Sequence, residues 1–449
     1  MLTNPRTWPR RRKWNMTLVV ASFTLIPPIS SSMVAPALST MASDLKITSS
    51  VESQLTLTIF MLSFAIGPLF IAPISETIGR APVLLVCNMI YLLWNLGCGL
   101  ARNKVEMICF RVLAGIGGSA PMAVGGAVIS DLWDPEDRGK AVGIYSLGPL
   151  LGPVIGPVAG GFIAERTTWR WVFYATSIVS GISEALGFLF LRETYAPVLA
   201  RRHCEKADMS AAAAHPEPLS KRLQQALRRP FYFLVTQPII LVVSIYLAYI
   251  FGVMYLLIST FPNVWTKIYG ESIGIGGLNY LSLGIGCIIG AQINARVNDA
   301  LYRRLKKRNN NKAEPEFRVP PMFVSSACIP IGLFWYGWSV QARVHWIMPN
   351  IGIFIFALGT IICMQCMQIY VIDSYTVNAA SGLAATGLLR SLAAFGIPLF
   401  APAMYDALEY GWGNSVLGFA SIAIGVPAPF MFWVYGKRLR ETSKFAASK

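Results

Sequence analysis

Ionisable side chains inside long apolar runs are where a membrane-embedded chain could move a proton or hold a charged ligand, and this sequence places few there. Glu184, in "SGISEALGF", falls near the middle of one run. An unpaired carboxyl group is expensive at that depth, which suits a proton carrier or a partner for a cationic substrate. The alternative is a protonated glutamate that hydrogen-bonds a neighbouring helix. Arg111, in "CFRVLAG", lies several residues into another run. A buried arginine costs several kcal/mol unless it is paired or hydrated, so it reads as functional, or as snorkelling to the near interface. Arg390 enters a later run from the opposite side, where snorkelling is the expected role. Asp131 and Asp373 lie near helix ends, where acids commonly act as caps, and Asp44 and Glu52 fall in solvated positions.

These residues must be positioned by membrane spans. The chain has 449 residues, 54% hydrophobic and 13% charged, against about 25% charged in a soluble domain. Apolar runs of about twenty residues, enough to cross the hydrocarbon core as a helix, fall at 16–38, 53–74, 82–101, 107–131, 140–164, 171–191, 238–261, 276–297, 320–341, 345–371, 380–404 and 413–436. The first is too long for a signal-peptide core and lacks a clear cleavage site. The organisation expected is a basic N-terminus (1–15), a six-helix bundle (16–191), a central loop (192–237), a second six-helix bundle (238–436) and a tail (437–449).

Loops on the side of the two termini hold 29 Lys and Arg and the opposite loops seven. The positive-inside rule therefore predicts cytoplasmic termini and a cytoplasmic central loop. The net charge of +16 follows from that topology, with anionic lipid contact and no nucleic acid. No phosphate-binding loop is present, and His203, His215 and His345 form no metal constellation. Seven of eight cysteines lie in apolar runs, Cys204 lies in the basic loop, and "CMQC" (363–366) lacks a second pair, so no metal and no disulfide framework is expected.

The halves echo one another. "SETIGR" puts Glu76 four residues before Arg80, and "NDALYR" repeats this with Asp299 and Arg303. "LGPLLGPVIGPVAGG" spaces Gly148, Gly152, Gly156 and Gly160 four apart, each of the first three followed by proline. A bundle tolerates such prolines, and the glycine stripe permits close backbone contact. Duplication of this kind is how transporters build a site between two moving halves.

In order, "GPLFIAPISETIGRAPVLL", "FRVLAGIGGSAPMAV" and "GPVIGPVAGG" resemble motifs A, B and C of the major facilitator superfamily, and "WRWVFY", "LRETYAPVLARR", "PEFRVPP" and "MYDALEYGWGNS" resemble its fungal twelve-span drug:proton antiporters. The resemblance covers essentially the whole chain. It implies an all-α integral membrane fold of twelve transmembrane helices in two pseudo-symmetric six-helix bundles. It makes Gly67, Glu76, Gly79 and Arg80, with Asp299 and Arg303, a cytoplasmic conformational latch. Here Glu76, Thr77 and Ala81 depart from the usual motif, leaving one carboxylate and one arginine. Arg111 would assist proton transfer, with Glu184 and Asp131 as the titratable partners. Gly148, Gly152, Pro153, Gly156, Pro157, Gly160 and Gly161 would form the antiporter motif, a seam expected against helix eight of the other half.

Helices one, four, seven and ten are expected to line the substrate cavity, with Phe251, Met254, Tyr255, Asn279, Met364, Gln365, Gln368 and Tyr370 as candidate contacts. Aromatic and thioether groups suit large, variable, apolar ligands, and the scarcity of cavity charges favours a lipophilic substrate over an organic anion. The expected function is export of small lipophilic compounds by proton antiport and alternating access. It would be powered by the proton gradient with no cofactor, by a monomer of the plasma membrane or the vacuole rather than by an enzyme. Polyamine export, uptake by symport and a non-transporting sensor are the alternatives.

Overall fold

A computed structural model describes residues 5–134, 137–200, 219–375 and 379–441. Among these the chain is helical, with no β-strand. It divides into two compact units, Met1–Arg228 and Arg229–Lys449.

The first unit contains α1 (Arg10–Met33), α2 (Leu38–Asp44), α3 (Ser50–Ile78), α4 (Arg80–Leu100), α5 (Lys104–Gly118), α6 (Ala120–Leu132), α7 (Arg138–Arg166) and α8 (Arg170–Phe190). Capping fixes several starts. The Ser49 and Asn103 side chains accept from the backbone N–H of Glu52 and Glu106, satisfying N-terminal donors that the helix leaves free. The fourth run is broken between α5 and α6 at Ser119, and the fifth is one unbroken helix despite Pro149, Pro153 and Pro157. Large apolar side chains such as Leu93, Leu100, Ile178 and Ile182 point outward, as a lipid-facing surface requires.

α9 (Leu219–Thr236) contains "KRLQQALRRPF" and spans the boundary between the units. The second unit continues with α10 (Pro238–Asn263), α11 (Ile273–Leu278), α12 (Tyr280–Arg308), α13 (Pro321–Gln341), α14 (Ile347–Ser374), α15 (Ala379–Gly396), α16 (Ala401–Gly425) and α17 (Pro427–Glu441). α12 runs well past the expected end at 297, because apolarity reports where a helix leaves the bilayer, not where its hydrogen bonds stop. Asp299 and Arg303 are therefore helical, not loop, residues.

Among the described residues, eleven stretches are long and apolar enough to cross a membrane, the last being Ser381–Arg440 with 60 residues. As one helix it would extend about 90 Å, three times the hydrocarbon thickness. The helical path breaks inside it at Glu409, whose φ is 55°. The chain doubles back there: Tyr405 before the break stacks on Tyr410 after it at 4.5 Å, and its hydroxyl lies 3.2 Å from Asn414 Oδ1. The span segments of this chain identify it as a multi-pass integral membrane protein.

Candidate functional site

The glycine ladder meets a partner inside its own bundle. A Cβ at Gly148 would lie 2.9 Å from the backbone nitrogen of Leu25, and one at Gly152, Gly156 or Gly160 would overlap Pro28, Ser32 or the Met33 carbonyl, all on α1. Ser32 adds a hydrogen bond from its hydroxyl to the Gly152 carbonyl at 3.1 Å. Pro153, Pro157 and Gly161 are buried along the same helix. The seam expected against helix eight is thus an α1–α7 seam: four glycines on one stripe face the helix whose backbone comes nearest.

Arg111 is fully buried on α5. Its guanidinium donates to the carbonyls of Thr56 (3.2 Å), Leu57 (3.1 Å) and Ser30 (3.4 Å) and lies over the Phe60 ring at 4.7 Å. Snorkelling is ruled out by those inward partners. Ser30 continues the network, donating from its hydroxyl to Asn95 Oδ1, while Asn95 Nδ2 faces Thr176 and Ser177 of α8 at 2.8 and 2.9 Å. Two helical turns away on α4, Asn88 donates to Glu184 Oε2 at 2.6 Å and accepts from Ser180. Glu184 is 3% exposed, and its other oxygen is buried without a hydrogen-bond partner among the described residues. Glu184 and Arg111 therefore end on adjacent rungs of one amide–hydroxyl ladder. The asparagines that build it, seven apart on α4, were missed by the sequence reading, although their spacing on one helical face was visible.

Asp131 does not join that ladder. Its carboxylate accepts from Arg80 Nε at 2.6 Å and from the Thr194 hydroxyl at 3.3 Å. Arg80 thus pairs across the bundle and not with exposed Glu76. The reason is local: α3 ends at Ile78, and Gly79, at φ 118°, turns the chain before Arg80 opens α4. The i,i+4 relation is lost there. Gly79 also leaves room for Glu193, which accepts from the Arg80 and Ala81 backbone N–H groups and so caps the start of α4. Gly67 lies elsewhere, packed against Ser119 at the α5–α6 break, and is a helix contact and not part of this cluster.

The second unit repeats the design with different residues. Asp299 pairs with Arg318 (2.8 Å), whereas Arg303 donates to the Asp299 main-chain carbonyl. Arg318, from the "PEFRVPP" segment, also bonds Asp373 (3.0 Å) and Asn298 (3.0 Å) and covers the Tyr302 ring at 4.0 Å. Beside it, Glu316 pairs with Arg440 at 3.1 Å, and burial pushes the Glu316 carboxyl above the usual carboxylate range even so. Arg318, Glu193 and Glu316 lie within the signature strings, and nothing in their spacing announces a partner 50 or more residues away.

Of the cavity candidates, Phe251 and Tyr255 share a face of α10, with ring centroids 5.2 Å apart, beside buried Met254. Met364 is buried on α14, Gln368 is half-buried, and the Tyr370 ring packs at a tilt on Phe432, with centroids 5.4 Å apart. Gln365 accepts from Asn294 of α12 at 3.0 Å, so it ties two helices together. Asn279 does the same at the α11–α12 junction, donating to Glu271 (2.7 Å) and accepting from Asn350 (2.6 Å). Cys363 and Cys366 face Ser325 and Asn294 at hydrogen-bonding distance, and no metal-binding group of His, Cys, Asp and Glu occurs among the described residues. Arg390 does not snorkel: it lies over the Phe251 ring at 4.8 Å.

The polytopic all-helical frame thus carries a buried arginine, a buried carboxyl and helix-end ion pairs. The family model of the Major Facilitator Superfamily matches residues 20–398, and the chain belongs to that family. It is 51% identical to the efflux pump vrtL of Penicillium aethiopicum, over 99% of this chain and 89% of that protein. It is 40% identical to the MFS-type transporter oryF of Aspergillus oryzae, over 98% and 92%. Among solved structures, the partially occluded inward-open xylose transporter XylE of E. coli superposes with a TM-score of 0.71 at 14% identity, covering 94% of this chain and 97% of that one; at that identity the likeness is one of fold.

Proposed function

We propose that this protein exports small lipophilic compounds in exchange for protons, by alternating access, with both termini in the cytoplasm of the plasma membrane. The efflux-pump relative at 51% identity supports the direction, and the basic loops support the orientation. The observation that carries proton coupling is Glu184, a carboxyl group 3% exposed inside a span, held by one amide and left with a free oxygen. A carboxylate so placed lacks the hydrogen bonds that would offset its desolvation, so it exchanges charge with each proton it takes or yields. Glu184→Gln preserves the hydrogen bond from Asn88 while removing the proton.

The test is purified protein in proteoliposomes with an imposed pH gradient. Gradient-driven substrate movement is expected to fall at least tenfold in Glu184→Gln, while counterflow of labelled against unlabelled substrate at equal pH is retained. Wild-type movement indifferent to the gradient would sink the coupling claim. A gradient response surviving in Glu184→Gln would move the proton site elsewhere.

A further inference from the structure

The two intramembrane arginines are provided for in opposite ways. Arg111 finds three carbonyls and two aromatic rings. Arg390 makes no hydrogen bond and no ion pair among the described residues, and its Nε is buried without a partner. What it has is an environment: the Phe251 face at 4.8 Å, with the Tyr255 ring beside Phe251. Close packing sets this up, because Gly252 of α10 lies against Ile397 and the Ala393 carbonyl, near the end of α15 and just beyond it. That contact holds the Phe251 and Tyr255 stretch of α10 beside the turn of α15 that carries Arg390.

Depth sharpens the point. Arg390 lies eleven residues into α15, which begins at Ala379, about 17 Å along it at 1.5 Å per residue. A guanidinium cannot shed its charge, and a buried Nε–H with no acceptor is costly inside a span. A visiting anion answers both the charge and the donors.

We propose that Arg390, with Phe251 and Tyr255, binds the acidic oxygen of a lipophilic weak acid, a carboxylate, enolate or phenolate, and that the exported compounds include such acids. The inference rests on the export reading and deepens it. It also revises the expectation that scarce cavity charge disfavours an organic anion: one delocalised anion needs one planar cation, and a guanidinium meets two acidic oxygens through paired N–H groups. The rings take the apolar body of the ligand, and the ring face tolerates the guanidinium when the site is empty.

The experiment uses the full-length protein in lipid nanodiscs, as wild type, Arg390→Gln and Arg390→Lys. Three matched pairs are titrated: pyrenebutyric acid and its methyl ester, a lipophilic phenol and its methyl ether, and a cyclic β-diketone enol and its enol ether. Affinity is read by thermal shift and by equilibrium binding. At least one acid is expected to bind the wild type ten or more times tighter than its neutral partner. That preference should vanish in Arg390→Gln and survive in part in Arg390→Lys, with both variants retaining the wild-type unfolding midpoint without ligand to within a few degrees. Equal acid preference in wild type and Arg390→Gln overturns the proposal, as does a wild type that prefers no acid in any pair, including one that binds none. The two readings separate in vesicles: export of neutral compounds without acid preference leaves the export function standing and removes the acidic substrate, whereas no movement of any compound counts against export itself.

Discussion

Gly156→Leu is expected to abolish transport and to lower the unfolding midpoint of the protein, while Gly143→Leu on the same helix is tolerated. The contrast is steric. A Cβ at Gly156 would already overlap the Ser32 side chain and approach the Ile29 carbonyl to 2.6 Å, whereas one at Gly143 would meet nothing within 4 Å. Backbone atoms cannot rotate away as a side-chain tip can, so the two helices must part. Overpacking of this kind costs about 1–3 kcal/mol, and in this seam the cost falls on every stretch where α1 and α7 touch. The measurement is substrate flux and thermal unfolding of both variants beside wild type. A Gly156→Leu protein with normal flux would mean that α1 and α7 need not stay in register during the cycle. Gly156→Ala should fall between, since it adds the Cβ without the branch beyond it.

Arg318→Ala is expected to destabilise the C-terminal bundle by about 1–3 kcal/mol, between the limits for exposed and buried ion pairs. One cation there serves two carboxylates from different helices, Asp299 at 65% exposure and Asp373 at 29%. Double-mutant cycles on unfolding should therefore give a larger coupling for Arg318 with Asp373 than with Asp299. The more exposed partner is already solvated and better screened. Arg318→Lys should recover only part of the loss, because a point charge cannot face two carboxylates and the Asn298 side-chain Oδ1 in one planar fan. Equal couplings for the two acids would show that burial is not what sets the strength of this cluster.

Sequence reasoning located the spans and the family because both are written locally. Twenty apolar residues are contiguous, and the glycine spacing is a property of one helix. The partners were not local. Glu76 and Arg80 have the spacing of a helical pair, but Gly79 ends the helix between them and hands Arg80 to Asp131. The acid at 299 has a helical cation four residues on and yet takes one nineteen residues on, because Arg318 returns across the end of α12. The glycine stripe was legible as a contact surface, whereas the identity of the helix filling it depends on how the bundle folds. Arg390 was misplaced for a similar reason: the ring it covers, Phe251, lies on another helix, and nothing in its own run announces that contact. The ladder on α4 was legible in retrospect as two asparagines on one face, but an amide in an apolar run carries no mark of which neighbour it binds.

That ladder has a practical consequence for handling the protein. Its hydrogen bonds, from Ser30 to Asn95, from Asn95 to Thr176 and Ser177 and from Asn88 to Glu184, join α1, α4 and α8 through side chains buried inside the bundle. Replacing the bilayer with detergent changes nothing in their surroundings, and added salt does not screen neutral amides and hydroxyls. The more exposed ion pairs at the helix ends, such as Lys104 with Glu52 and Arg318 with Asp299, have less insulation. Purification at high ionic strength should therefore slacken the ends of each bundle first, while the middle of the N-terminal bundle stays knit, and buffers for this protein are best chosen to protect its rims.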